Sequence, residues 1–193
     1  EATFKVFERL KLIGGVRLSR VSFGFDQVYF GSLTGYNDPF ADPRGVTRGH
    51  VTENPVTPKF GAQYQLTDND MLYVSGAKGY RAGGVNVPLS IANCAAPLAA
   101  AGLTIADIPL TYNSDSVWSY EAGGKFRLFN GQAQINASAF HIEWDGVQFG
   151  VSLPRCAFSY IANAATAASD GAELQASGRF AGFTINGNLG YDN

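Results

Sequence analysis

The chain has 193 residues, 46% of them apolar and 16% charged, with a net charge of −2. One domain of this length could bury a sizeable core, but the charged fraction is well below the usual quarter and no basic excess marks a nucleic-acid module. No run of roughly 18 apolar residues encodes a transmembrane helix, and Glu1-Ala2-Thr3-Phe4-Lys5 lacks the cationic and apolar regions of a signal peptide.

In chain order, strands are predicted near 1–8, 11–28, 56–66, 71–81, 116–128, 132–150, 169–180 and 183–193. The signal is alternation of apolar and polar residues with period two, which a helix would scatter around its circumference. Phe60, Ala62, Tyr64 and Leu66 alternate with Lys59, Gly61, Gln63 and Gln65. In the fourth strand Leu72, Tyr73 and Val74 run together and show no clear parity. Trp118, Tyr120, Ala122, Gly124, Phe126 and Leu128 alternate with Ser119, Glu121, Gly123, Lys125 and Arg127. The sixth strand begins with Ala133, Ile135, Ala137 and Ala139, then switches parity to Phe140, Ile142 and Trp144. Either a β-bulge near Ala139 or emergence of the strand from an apolar medium accounts for the switch. The last two strands alternate cleanly, with Ala172, Leu174, Ala176, Gly178 and Phe180, then Phe183, Ile185, Gly187, Leu189 and Tyr191.

Connections alternate strictly between two kinds. Glu8-Arg9-Leu10, Thr67-Asp68-Asn69-Asp70, Asn130-Gly131 and Ala181-Gly182 are tight, several of them supplying the Asn, Asp and Gly that β-turns need. Residues 31–54, 82–113 and 151–168 are long. Short turns at one end and long loops at the other are the pattern of a transmembrane β-barrel, so the expected fold class is all-β: antiparallel, up-and-down transmembrane strands. The apolar set then meets lipid. Arg17, Lys59, Glu121, Lys125, Arg127, Glu173 and Arg179 point into the lumen, because an Arg or Lys facing mid-membrane lipid would cost about 2–4 kcal/mol. Leu128, Phe129, Phe180 and Phe183 flank tight turns, and Trp118, Tyr120, Trp144 and Tyr191 lie toward the other strand ends, as two interfacial aromatic girdles.

Cys94 and Cys156 both fall in predicted long loops on one side, where an oxidising compartment would favour a disulfide; two free thiols or partners outside the chain are the alternatives. Neither has a Cys or His at zinc spacing. His50 and His141 are isolated, although Glu143 and Asp145 beside His141 allow a weak cation site to be imagined. No nucleophile elbow, Walker loop or H-E-x-x-H occurs. No catalytic residue, metal or cofactor is assigned, and the chain is read as not an enzyme.

Several short runs carry a resemblance. They are Pro58-Lys59-Phe60-Gly61; Leu72-Tyr73-Val74-Ser75 leading to Lys78-Gly79-Tyr80-Arg81-Ala82-Gly83-Gly84; Ser119-Tyr120-Glu121-Ala122-Gly123-Gly124-Lys125; Asn136 to Phe140 with Trp144 and Val147-Gln148; and Asn163-Ala164 with Gly171-Ala172-Glu173. In this order and spacing the chain resembles the barrel of TonB-dependent outer-membrane receptors, Ala82 standing where the family often has Pro. The resemblance implies that residues 1–193 are a partial barrel domain, a fragment of the C-terminal half. It would supply about eight strands of a larger barrel of about 22, with plug domain and coupling box absent. It implies a bacterial outer-membrane receptor for active uptake of a scarce nutrient complex, chiefly a ferric siderophore. The partners would be outer-membrane lipid, the plug and remaining barrel strands of the parent chain, the TonB energy-coupling complex and the nutrient ligand, with no nucleic acid. Tyr36, Phe40, Phe158 and Tyr160 are the candidate extracellular-loop ligand contacts. A passive pore or autotransporter-type translocator without energy coupling is the alternative reading of the same strands.

Overall fold

The structure is a computed structural model that describes residues 1–31, 46–87, 89, 91–163 and 165–193. The strands in chain order are β1 (Ala2–Phe7), β2 (Leu10–Leu18), β3 (Val21–Val28), β4 (Val46–Glu53), β5 (Val56–Gln65), β6 (Asp70–Arg81) and β7 (Gly84–Val85). A helix, α1 (Ile91–Ala99), follows, then β8 (Thr111–Tyr112), β9 (Asp115–Leu128), β10 (Ala133–Asp145), β11 (Gln148–Leu153), β12 (Phe158–Asn163), β13 (Thr166–Phe180) and β14 (Phe183–Asp192). Eight strands form one antiparallel sheet in the order β1-β2-β5-β6-β9-β10-β13-β14, and β3–β4, β7–β8 and β11–β12 are separate two-stranded ribbons. Sheet neighbours are successive passes of the chain, as an up-and-down wall requires.

The tight turns join β1 to β2, β5 to β6, β9 to β10 and β13 to β14, all at one end of the sheet. Their backbones demand it: Asn130 and Gly131 hold φ of 55° and 85°, and Ala181 and Gly182 hold 49° and 84°, the left-handed values that match a hairpin to strand twist. The ribbons stand at the opposite end, within the long connections, and α1 lies in the connection that holds β7 and β8.

Two expected strands are broken. The stretch 11–28 divides at Ser19-Arg20, because the β2–β5 ladder ends at Leu18 opposite Val56. Ser19 N–H then donates to Pro55 O at 3.1 Å, and Pro55 has no N–H to carry the ladder further. The stretch 132–150 divides at Gly146, whose φ of +65° turns the chain between β10 and β11.

A bulge near Ala139 is ruled out. β10 pairs with β9 and β13 in unbroken register from Ala133 to Asp145, so the switch of apolar parity there changes which chemistry faces each side, not the backbone. β6 resolves in the same way. Leu72 and Val74 lie on the face of Phe126 and Ala122, whereas Tyr73 lies on the face of Glu121 and donates its hydroxyl to that carboxylate.

The sheet is one layer thick and has no core of its own. Phe180 is 79% exposed, Leu18 73% and Phe183 71%, and a contiguous apolar face of this kind needs a non-aqueous neighbour. The buried apolar side chains among the described residues, Leu89, Cys94, Leu98, Ile108 and Cys156, all lie in the long connections.

Candidate functional site

Directly paired residues share a face of a sheet, so the ladders decide the faces. Arg17, Lys59, Glu121, Lys125, Arg127, Glu173 and Arg179 all fall on one face. On that face Lys59, Gln63, Tyr73, Ser75, Glu121 and Lys125 line a hollow of about 360 Å³. Further along the sheet Gln134, Asn136, Gln175, Ser177, Asn186 and Asn188 line another of about 320 Å³. The Tyr73 ring lies across Gly123, where a Cβ would come within 2.7 Å of its hydroxyl, and the Lys125 ammonium stands 5.9 Å from the ring centre. Lys59 reaches Glu1 at 3.4 Å across the strands.

The opposite face is apolar through its middle. It carries Leu12, Val16, Phe60, Val74, Ala122, Ile135, Ala137, Leu174 and Leu189. Toward the long-loop end it closes with aromatic rings: Phe60 lies 6.2 Å from Trp118, and Trp118 stacks on Tyr120 at 5.7 Å and 5°. The Lys78 ammonium sits 6.0 Å over Trp118. At the level of Tyr120 the face turns polar. His141 lies beside Tyr120 at 6.4 Å, takes Asp170 at 2.7 Å and has Glu143 at 3.4 Å. Its ring nitrogens therefore both have carboxylate neighbours, and no cluster of three or more His, Cys, Asp or Glu suited to a metal ion occurs among the described residues. His50 bonds Ser22 and Thr52 Oγ, each at 3.0 Å, within the β3–β4 ribbon. Trp144 departs from the expected girdle: it lies on the polar face, 5.3 Å from the Arg81 guanidinium.

Above the sheet the long connections build a cap. Cys94 in α1 and Cys156 at the β11–β12 turn form a disulfide with Cα atoms 5.1 Å apart. Leu89, Leu98 and Ile108 are buried with them, and Ile105, Leu153, Phe158 and Tyr160 pack against the cluster. Phe158 and Tyr160 are thus partly occupied in holding the cap together, while Tyr36 and Phe40 lie outside the described residues. Asn86 sews the two loops together. Its amide donates to Pro109 O at 2.9 Å and Ile161 O at 2.8 Å, and its side-chain oxygen accepts from Ile161 N–H at 2.7 Å. A buried amide so fully matched rigidifies its surroundings.

A polar rim joins cap to sheet. Arg81 Nε donates to both Asp115 oxygens at 3.2 Å, and Asp115 accepts from Gln148 N–H at 3.1 Å. The Gln148 amide donates to Ala82 O at 2.9 Å and Asn113 O at 3.0 Å. Asn163 donates to Asn113 O and Gly146 O and accepts from Asn113 N–H. The motif runs that carry the family resemblance include Arg81, Gln148 and Asn163; Asp115, Asn113 and Asn86 stood outside them and had no local signal.

A single-layer antiparallel wall with one apolar and one polar face, tight turns at one end and a built cap at the other, defines a segment of transmembrane β-barrel. The model of the TonB-dependent receptor-like β-barrel matches residues 1–193, and the chain belongs to that family. It is 27% identical over 192 residues to the pesticin receptor of Yersinia pestis, covering 98% of this chain and 24% of that one. Its fold is similar to the ferric yersiniabactin uptake receptor FyuA from Yersinia pestis, with a TM-score of 0.68 at 23% identity, over 98% of this chain and 25% of that one. The alcaligin outer-membrane receptor FauA from Bordetella pertussis gives 0.55 at 21%, over 98% and 29%. The chain thus spans about a quarter of the length of the relatives it matches. The family is one of transport receptors of the bacterial outer membrane, and the eight-stranded sheet is placed there.

Proposed function

We propose that this chain is part of the wall and extracellular cap of an active-transport receptor that takes up a scarce nutrient complex, a ferric siderophore above all. The observation that carries the reading is the division of one sheet into an apolar and a polar face in a chain matched along its whole length by the receptor barrel. Relatives named for ferric yersiniabactin uptake and alcaligin support the choice of cargo.

In this reading the apolar face meets outer-membrane lipid. The face bearing Arg17, Lys59, Glu121, Lys125, Arg127, Glu173 and Arg179 lines a wet lumen that holds the plug domain of the parent chain. The disulfide and the rim tie the cap to itself and to the sheet, and gating belongs to the plug, energised through TonB. Tyr36, Phe40, Phe158 and Tyr160 remain the loop candidates for ligand contact, the last two through their exposed edges.

The test is uptake of radioactive iron by iron-starved cells carrying the full-length receptor, with the gene intact or deleted and TonB present or absent. Loss of uptake on removing either the receptor or TonB is expected. Uptake that survives loss of TonB would favour a passive pore, and uptake indifferent to the receptor gene would end the proposal.

A further inference from the structure

Above the aromatic belt the outward face of the wall carries a polar hollow of about 380 Å³. Register places Lys78 beside Trp118, and Tyr80, Ser116 and Asp145 together one pair further out, all on the face of Phe60 and Val74. Those four line the hollow with Glu53, from the end of the β3–β4 ribbon, and Val56, from the start of β5. The hollow therefore belongs to the side of the wall that meets lipid, not to the lumen.

The belt sets its height. Trp118 and Tyr120 mark the edge of the hydrocarbon. Two residues rise by about 7 Å along a strand, less when the strand is tilted, and the polar layer of one leaflet is about 5–8 Å deep. The hollow lies among lipid headgroups. Beneath it the exposed side chains of Val16, Phe60 and Val74 offer an apolar wall to acyl chains.

Two opposite charges line the hollow without meeting. Neither Lys78 nor Asp145 enters an ion pair among the described residues, and the Lys78 ammonium stands 6.0 Å over the Trp118 ring. The neighbouring charges do not supply partners. Asp115 is held by Arg81, Glu143 and Asp170 share the one imidazole of His141, and Glu53 accepts from Gly83 N–H at 3.3 Å while keeping its charge. Lys78 is at the belt and Asp145 is one pair further out, so the complementary group carries an anion near the hydrocarbon and a cation above it. A bare phosphate suits the lysine and is repelled by Asp145 and Glu53. A phosphate capped with an alkylammonium suits both ends.

We propose that this hollow binds the amine-capped phosphate of an outer-leaflet lipid, with Lys78 taking the phosphate and Asp145 the ammonium. The proposal rests on the orientation given to the barrel above and adds to it a lipid site on the outside of the wall.

The test uses the full-length receptor in detergent and two lipid probes, lipid A with bare phosphates and lipid A with ethanolamine capping one of them. They share sugars and acyl chains and differ only in the added ammonium group. Binding is followed by native mass spectrometry, with soluble phosphoethanolamine as competitor. The wild type is expected to prefer the capped lipid by about tenfold, equivalent to about 1.4 kcal/mol. Asp145→Asn is expected to erase that preference by weakening the capped lipid alone. Lys78→Gln is expected to weaken both lipids, whereas Glu8→Gln, in a tight turn at the other end of the sheet, changes neither. Heat-modifiable migration reports assembly. Should Lys78→Gln not assemble, Asp145→Asn carries the test alone. Equal affinity for the two lipids, a preference for the bare phosphate, or a preference that survives Asp145→Asn overturns the site. Displacement of the lipid by an equal concentration of soluble phosphoethanolamine would make the occupant a soluble one and overturns it too. TonB-dependent iron uptake by the wild type that persists in any of these cases leaves the wider reading standing, so the two failures are distinguishable.

Discussion

Arg81 and Asp115 are register partners at the outer ends of β6 and β9, and the Asp115 carboxylate, 3% exposed, receives the Arg81 guanidinium and the Gln148 amide together. The pair therefore ties two barrel strands to the first strand of the cap ribbon. Arg81→Ala leaves a buried carboxylate without its cation, held only by the Gln148 backbone N–H and the Trp144 side chain. A hydrogen bond to a charged group is worth about 1.5–3 kcal/mol, and the half-exposed guanidinium puts the loss toward the lower figure. Asp115→Asn keeps an acceptor for Gln148 and is expected to cost less. Hydrogen exchange at the amides of 146–149 should accelerate more in Arg81→Ala than in Asp115→Asn. The reverse order would mean that the rim depends on something other than the buried charge.

The Cys94–Cys156 bridge spans 62 residues of sequence. A loop of that length gives a chain-entropy contribution of about 4 kcal/mol. The bridge lies inside the small apolar cluster of Leu89, Leu98 and Ile108, none of which belongs to the eight-stranded sheet. Cys94→Ser with Cys156→Ser in the full-length receptor should therefore loosen the cap and spare the barrel. Limited proteolysis of intact cells is expected to cut within residues 91–110 several times faster, while heat-modifiable migration stays unchanged. Loss of that migration would show that the cap is needed for barrel assembly.

In the same cap, Asp107 closes a 3-10 turn by accepting from Thr104 N–H and from Thr104 Oγ–H, each at 2.7 Å. The side-chain hydrogen bond, helped by the backbone one, holds the Asp107 carboxyl below its ordinary value. A carboxylate with a lowered folded-state pKa adds stability that is in full force above its unfolded value and disappears as pH falls through the folded one. Exchange of the amides of 104–108, taken relative to their intrinsic rates at each pH, should thus quicken on acidification through the low end of the carboxylate range. Thr104→Ala should quicken it at neutral pH and flatten the pH response; a response that remains steep would place the titrating group elsewhere.

The strands and turns were legible because alternation and turn chemistry are local. Ala181-Gly182 and Asn130-Gly131 marked hairpins that their positive φ values now explain. The two strand breaks were missed because each depends on where a ladder stops, at Pro55 in one case and Gly146 in the other, which no single-strand pattern records. The parity switch at Phe140 was visible, but its cause was not, because only pairing with β9 and β13 excludes a bulge. The cap was the least legible part. Helix α1 is short and contains Pro97, β7 and β8 are two residues each, and Asn86 meets Ile161 across 75 positions.

The assignment of faces yields the most direct test, because Ala137 and Ser138 are consecutive in mid-strand and point opposite ways. Ala137 is paired with Gly124 and Leu174 on the apolar face, and Ser138 with Gly123 and Glu173 on the polar one. Arginine at position 137 would have to enter hydrocarbon, at a cost of about 2–4 kcal/mol near the bilayer midplane. Arginine at position 138 would meet Glu173 and a wet wall, and little stability should be lost. Equilibrium unfolding of the full-length receptor in lipid vesicles should therefore separate Ala137→Arg from Ser138→Arg by at least about 2 kcal/mol. Equal destabilisation would mean that both faces are wet, and the opposite order would turn the wall inside out.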